Sequence, residues 1–92
     1  MKFKAAYKAA KLIKVELDVT DNKIKSIRFT GDFFMYPEEA IRKLENELIN
    51  LSLEESTLLN AVERFFKREN IITPLIEPVD FVKAIMKAVG RD

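Results

Sequence analysis

Acid–base or metal chemistry in this chain falls to carboxylates, because its 92 residues include 15 Asp and Glu but no His and no Cys. The usual zinc and iron ligand sets, and the histidine bases of most hydrolases, therefore have nothing to form from. Glu38-Glu39, Glu45, Glu47 and Glu54-Glu55 are the carboxylates close enough in sequence to share a proton or hold Mg²⁺. Each lies in the first turn or on the polar side of a helical pattern, so the expectation is a solvated face. Asp18 and Asp21 flank a turn. Ser26, Ser52 and Ser56 lack a histidine partner and read as strand and cap residues. Two glycines, Gly31 and Gly90, cannot make a phosphate-cradling loop.

One stretch stands apart. In FTGDFFMYPEE, residues 29–39, a glycine, a carboxylate and the aromatics Phe33, Phe34 and Tyr36 share six positions. Phe33 and Phe34 are adjacent, so in extended chain they point to opposite faces. If one joins a core with Ile27 and Phe29, the other must lie under a helix or face a partner. Gly31 allows the backbone to twist before the aromatics, and Asp32 can hydrogen-bond the turn it sits in.

The elements that hold this stretch are legible from periodicity. Residues 12–19, LIKVELDV, alternate with Ile13, Val15, Leu17 and Val19 on one face, a strand with one wet side. Asp21-Asn22 tolerates the positive φ of a tight hairpin, and residues 24–30 return with Ile27 and Phe29 inward. Residues 3–7 alternate more weakly and are expected as an edge strand. Pro37 suits a first helical turn, with Glu38 and Glu39 at the positive end of the helix and paired to Arg42 and Lys43. Ile41, Leu44, Leu48 and Leu51 form its apolar stripe, and the helix ends near Ile49. Ser52 and Glu55 match a capping box ahead of Leu58, Leu59, Val62, Phe65 and Phe66. Thr73-Pro74 and Glu77-Pro78 bracket an irregular connection. Residues 79–89 form a last helix with Phe81, Val82, Ile85, Met86 and Val89 inward and Gly90 as its stop. Met86-Lys87 resembles the setting of acceptor lysines in biotinyl and lipoyl domains, but those sit at a β-turn, whereas Lys87 falls on the polar side of a helix. Strands followed by helices make this one α+β domain over residues 1–92. It is expected as a small antiparallel sheet, a hairpin plus one short strand, packed on about three helices.

Sixteen basic residues against 15 acidic ones leave a net charge of +1, which does not favour a dedicated nucleic-acid or membrane-surface binder. No apolar run approaches the ~20 residues that span a bilayer, and the start, MKFKAAYKAA, lacks the apolar segment of a signal peptide. A cytoplasmic protein is the simplest expectation.

Lys11-Leu12-Ile13 opening a strand, a hairpin, then Ile27-Arg28-Phe29-Thr30-Gly31-Asp32-Phe33-Phe34 and Pro37-Glu38-Glu39 together resemble the C-terminal accessory domain of lipoate–protein ligases. The similarity runs from about Tyr7 to Val89. One departure is Ala9-Ala10, where family members often carry glycines before the lysine. The resemblance implies a non-catalytic accessory subunit of a bipartite, archaeal-type lipoate–protein ligase. Its partner would be the catalytic subunit, with the lipoyl-acceptor domain as an indirect partner. Lipoate and ATP with Mg²⁺ would be bound by that partner, and this chain would bind no cofactor or metal and carry no catalytic residue. The sequence opens on Met1 with only the accessory part, so a separately encoded subunit is expected, the other option being an excised domain. The residues expected at the partner interface are Lys11, Gly31, Asp32, Phe33 and Phe34 from the motif, and Tyr36 from its neighbourhood. A stand-alone module that binds a peptide strand at its sheet edge is the rival reading. An iron–sulfur scaffold is excluded by the lack of cysteine.

Overall fold

A computed structural model describes residues 1–91. Three antiparallel strands form one open sheet in the order β1 (Lys2–Lys8), β2 (Leu12–Thr20), β3 (Lys23–Gly31). Three helices follow: α1 (Ala40–Leu48), α2 (Glu55–Arg68) and α3 (Pro78–Ala88). The expected α+β architecture is thus observed, with the edge strand β1 paired to Leu12–Asp18 of β2.

The sheet forms for the reasons its pattern implies. Asp21 and Asn22 take φ of 53° and 60°, the paired positive values of a two-residue hairpin turn. Ile13, Val15 and Leu17 of β2 are buried under the helices, and Lys14 and Glu16 face away. Between Asp18 and Val19 the register shifts, since Val19 pairs with Ile24 but Asp18 with Ser26, leaving Lys25 unmatched. This bulge lets both Ile24 and Ile27 reach the core despite their odd spacing.

α3 lies on β1 and β2, α1 lies on β3, and α2 packs on α3 and α1. Phe81 of α3 is the hub. Its ring meets Phe29 edge-on at 5.2 Å and Phe33 edge-on at 5.3 Å, and lies 6.0 Å from Phe66. Edge-to-face geometry of this kind adds about 1 kcal/mol per pair beyond the area buried. α3 ends in a Schellman turn. Gly90, at φ 75°, donates to Lys87 O and Arg91 N–H donates to Met86 O at 2.8 Å.

Three expectations are corrected. The first helix begins at Ala40 rather than Pro37, because Tyr36 is held extended by a bridge to Ile72 and Pro37 only opens a turn by accepting from Ala40 N–H. Glu38 and Glu39 therefore precede the helix, and their pairs with Arg42 and Lys43 are absent among the described residues; Lys43 lies 3.8 Å from Glu69 instead. Ser52 does not cap α2. Its backbone bridges Lys23 and Leu53 N–H donates to Asn22 O, which leaves Glu54 at the N-cap position. The reciprocal cap appears at α3, where Glu77 N–H donates to Asp80 Oδ2 at 2.9 Å. Glu45, expected on a solvated face, is 8% exposed and accepts the Phe29 N–H at 2.7 Å. That amide points off the free side of β3, and the carboxylate satisfies it.

Candidate functional site

The Gly31–Tyr36 segment leaves the end of β3, and its conformation is set by close packing. Gly31 has φ 140°, and a Cβ there would stand 2.2 Å from Leu12 O. Only glycine fits. The next amide, Asp32 N–H, donates to the same Leu12 carbonyl at 3.0 Å, so the segment is pinned to the start of β2. Lys11 immediately precedes Leu12. It is half-buried, and its carbonyl accepts from Ala9 N–H across the β1–β2 turn. The motif residues Lys11, Gly31 and Asp32 therefore gather at one end of the sheet.

Beyond Asp32 the two phenylalanines divide. Phe33 turns inward onto Phe81, and Phe34 is 62% exposed. Met35 returns to the core and Tyr36 emerges again, 49% exposed. Tyr36 N–H donates to Ile72 O at 2.9 Å and Ile72 N–H donates to Tyr36 O at 3.0 Å. This exchange ties the segment to the connection between α2 and α3, which presents Ile72 at 62% and Leu75 at 71% exposure. Leu75 holds φ 67°, a left-handed conformation costly for a branched residue, within a turn closed by Ile76 N–H to Thr73 O and Thr73 Oγ1–H to Ile76 O. Among the described residues, Phe34, Tyr36, Ile72 and Leu75 are the exposed large hydrophobics apart from Met1. Four such residues on two linked segments make a candidate interaction surface.

A shallow cavity of about 280 Å³ lies beside this surface, lined by Phe33, Phe34, Tyr36, Glu38 and Ile41 among others. Ile72 and Leu75 escaped the sequence reading. Their only signal was apolar character inside a proline-bracketed connection, where no periodicity tells inward from outward. Met35 escaped as well, since it belongs to neither strand nor helix.

No cluster of three or more His, Cys, Asp or Glu side chains able to hold a metal ion occurs among the described residues. Among those residues, too, no helix is long and apolar enough to cross a membrane. Lys87 is exposed, as expected, and its Nζ donates to Ala6 O at 2.8 Å. Arg68 sits between Glu47 at 3.0 Å and Glu69 at 3.1 Å, and these hydrogen bonds, Glu47's first, raise its pKa above the usual value.

Comparison with known proteins places this geometry. The chain is 43% identical over 86 residues to lipoate-protein ligase A subunit 2 of Thermoplasma acidophilum, covering 92% of this chain and 88% of the relative. Its structure matches, with a TM-score of 0.83 and 38% identity, a chain from a solved archaeal lipoylation system. That system is a bi-partite lipoate protein ligase and its E2 lipoyl domain from Thermoplasma acidophilum, and the match covers 92% of this chain and 94% of that one. The family described as bacterial lipoate protein ligase C-terminus matches residues 4–85. With Gly31, Asp32 and the divided Phe33-Phe34 pair at the end of β3, this chain belongs to the lipoate protein ligase C-terminus family.

Proposed function

We propose that this chain is the accessory subunit of a bipartite lipoate–protein ligase. It pairs with a catalytic chain and supports the ATP-dependent formation of lipoyl-adenylate, from which lipoyl passes to an acceptor domain. The catalytic chain holds lipoate and ATP with Mg²⁺. This chain contributes by positioning and by excluding water rather than by making bonds.

The observation that carries the reading is the apolar surface of Phe34, Tyr36, Ile72 and Leu75, combined with similarity along nearly the whole chain to a ligase subunit. Large aromatic side chains near the centre of an interface are its usual anchors, and lasting interfaces are the more hydrophobic ones. Gly31 and Asp32, packed on and bonded to the Leu12 carbonyl, hold the segment that carries Phe34 and Tyr36 against the sheet. The rival reading, a module that adds a peptide strand to the sheet edge, meets an obstacle in β1. There Lys2, Lys4 and Lys8 line the free strand, and Lys87 already occupies the Ala6 carbonyl.

The test is lipoate- and ATP-dependent pyrophosphate release by the catalytic chain, with and without this protein. Release that requires both chains, and that falls with Phe34→Ala, supports the reading. Equal activity of the catalytic chain alone overturns it.

A further inference from the structure

The connection from α2 to α3 contains a turn with an ill-suited residue at its tightest position. Ile76 N–H donates to Thr73 O at 3.1 Å, closing a four-residue turn over Pro74 and Leu75. Proline fixes φ at about −65° in the second position, and Leu75 has φ 67° in the third. Negative φ followed by positive φ makes a type II turn, whose third position belongs to glycine or asparagine. Elsewhere the chain obeys that preference. Among the described residues, the other positive φ values fall on Asp21, Asn22, Asn50 and Asn70 and on the two glycines. Leu75 alone among them carries a branched apolar side chain, in a region where Cβ crowds the following carbonyl.

Nothing in the isolated fold offsets this strain. The Leu75 side chain is 71% exposed and is not among the hydrophobics packed on the core. Its neighbours nevertheless hold it in place. Ile76 is buried, the Thr73 hydroxyl donates to Ile76 O at 2.7 Å, and Ile72 is bridged to Tyr36. Just beyond, Pro78 and the Glu77–Asp80 capping box start α3. Both flanks of Leu75 are therefore fixed, and its side chain stands in solvent before any partner arrives.

We infer that Leu75 is a strained anchor for the catalytic chain, held ready to enter an apolar pocket on that chain. The inference rests on the ligase reading above and deepens it, by naming a side chain whose removal weakens pairing and strengthens the fold. Strained residues kept in place by over-determined surroundings collect at clamps and binding sites. A side chain already fixed in its bound position loses little freedom on association, so holding it out in advance raises affinity. The occupant is the catalytic chain of that reading because Leu75 continues the surface of Phe34, Tyr36 and Ile72 across the Tyr36–Ile72 bridge.

The test sets stability against pairing in three variants of this chain, each titrated with the catalytic chain. Leu75→Gly and Leu75→Asn suit the turn and remove the anchor. Both are expected to raise the melting temperature by about 4 °C, and to raise the Kd for the catalytic chain about tenfold or more. Leu75→Met keeps both the apolar side chain and the strain, and its Kd should stay within about threefold of wild type. A gain in stability joined to a loss of affinity is a combination that a merely structural leucine does not give. Unchanged Kd in the glycine and asparagine variants overturns the inference, while wild-type pairing and the ligase reading stand. Absence of wild-type pairing sinks the ligase reading, and the inference with it. A melting temperature lowered in both variants shows that Leu75 serves the fold, and also overturns it. Light scattering on this chain alone covers the remaining occupant: a dimer that dissociates in Leu75→Asn would seat a second copy at the anchor and refute the assignment.

Discussion

Tyr36 and Ile72 exchange two backbone hydrogen bonds, at 2.9 and 3.0 Å, although 35 positions of sequence and two helices lie between them. Through that exchange the segment leaving β3 and the connection between α2 and α3 become one surface. Its exposed side carries Phe34, Tyr36, Ile72 and Leu75. Its buried side is closed by Phe33 and Met35, which pack into the core beneath.

The two neighbouring phenylalanines should therefore behave oppositely. Phe34→Ala is expected to change stability by less than about 0.5 kcal/mol, as exposed substitutions do, and to weaken pairing with the catalytic chain. Phe33→Ala removes an edge-on partner of Phe81 and should cost about 2–3 kcal/mol. Urea midpoints beside a binding isotherm for each variant separate the two effects. Equal destabilisation by both changes would refute the division.

Gly31→Ala should be among the most damaging single-atom additions in the chain. The added Cβ meets backbone, Leu12 O at 2.2 Å, and φ 140° lies outside what alanine adopts at low cost. A loss of about 2 kcal/mol or more is expected, accompanied by loss of the Asp32–Leu12 hydrogen bond. Faster hydrogen exchange at the Asp32 amide would report that rupture directly. Retained protection there, with an unchanged melting temperature, would show that the close approach is unimportant.

Glu45 is tested by comparing two substitutions. Glu45→Ala strands the Phe29 N–H inside the protein and should cost about 1–3 kcal/mol. Glu45→Gln keeps an acceptor oxygen and should lose about 1 kcal/mol or less. If alanine proves as well tolerated as glutamine, the hydrogen bond contributes nothing and the side chain serves only to cover β3.

Asp18 supplies a pH dependence whose sign follows from its partner. The Met1 ammonium donates to its carboxylate, and this hydrogen bond holds the carboxyl below its ordinary value of 3.8. The unfolded chain then binds the proton more readily than the folded one. Stability from this group is present above about pH 3.8 and is lost as pH falls through the lower folded-state value. Asp18→Asn, or acetylation of the N-terminus, should flatten that part of the acid unfolding curve. A carboxyl NMR titration that finds Asp18 at its ordinary value would rule out the tether.

The hairpin, the edge strand and the apolar stripes of all three helices were legible because each rests on local periodicity, read against turn residues such as Asp21-Asn22. Family membership was legible from Gly31-Asp32-Phe33-Phe34 together with Lys11. The errors fall where a distant backbone intervened. Pro37 and Ser52 carry the local chemistry of helix starts, yet the helices begin later because Tyr36 is paired to Ile72 and Ser52 to Lys23. Glu45 reads as a solvent-facing helix residue until β3 sets an unpaired amide against it.

The sequence by itself determined the α+β class, the alternation that buries Ile13, Val15 and Leu17, and the motif that ends β3. Local dihedral preference and side-chain period suffice for those. The tertiary structure decided which phenylalanine of the pair faces out and which loop joins it. Those outcomes depend on contacts between residues far apart in the chain, such as Phe33 with Phe81 and Tyr36 with Ile72, whose formation no window of neighbouring residues encodes.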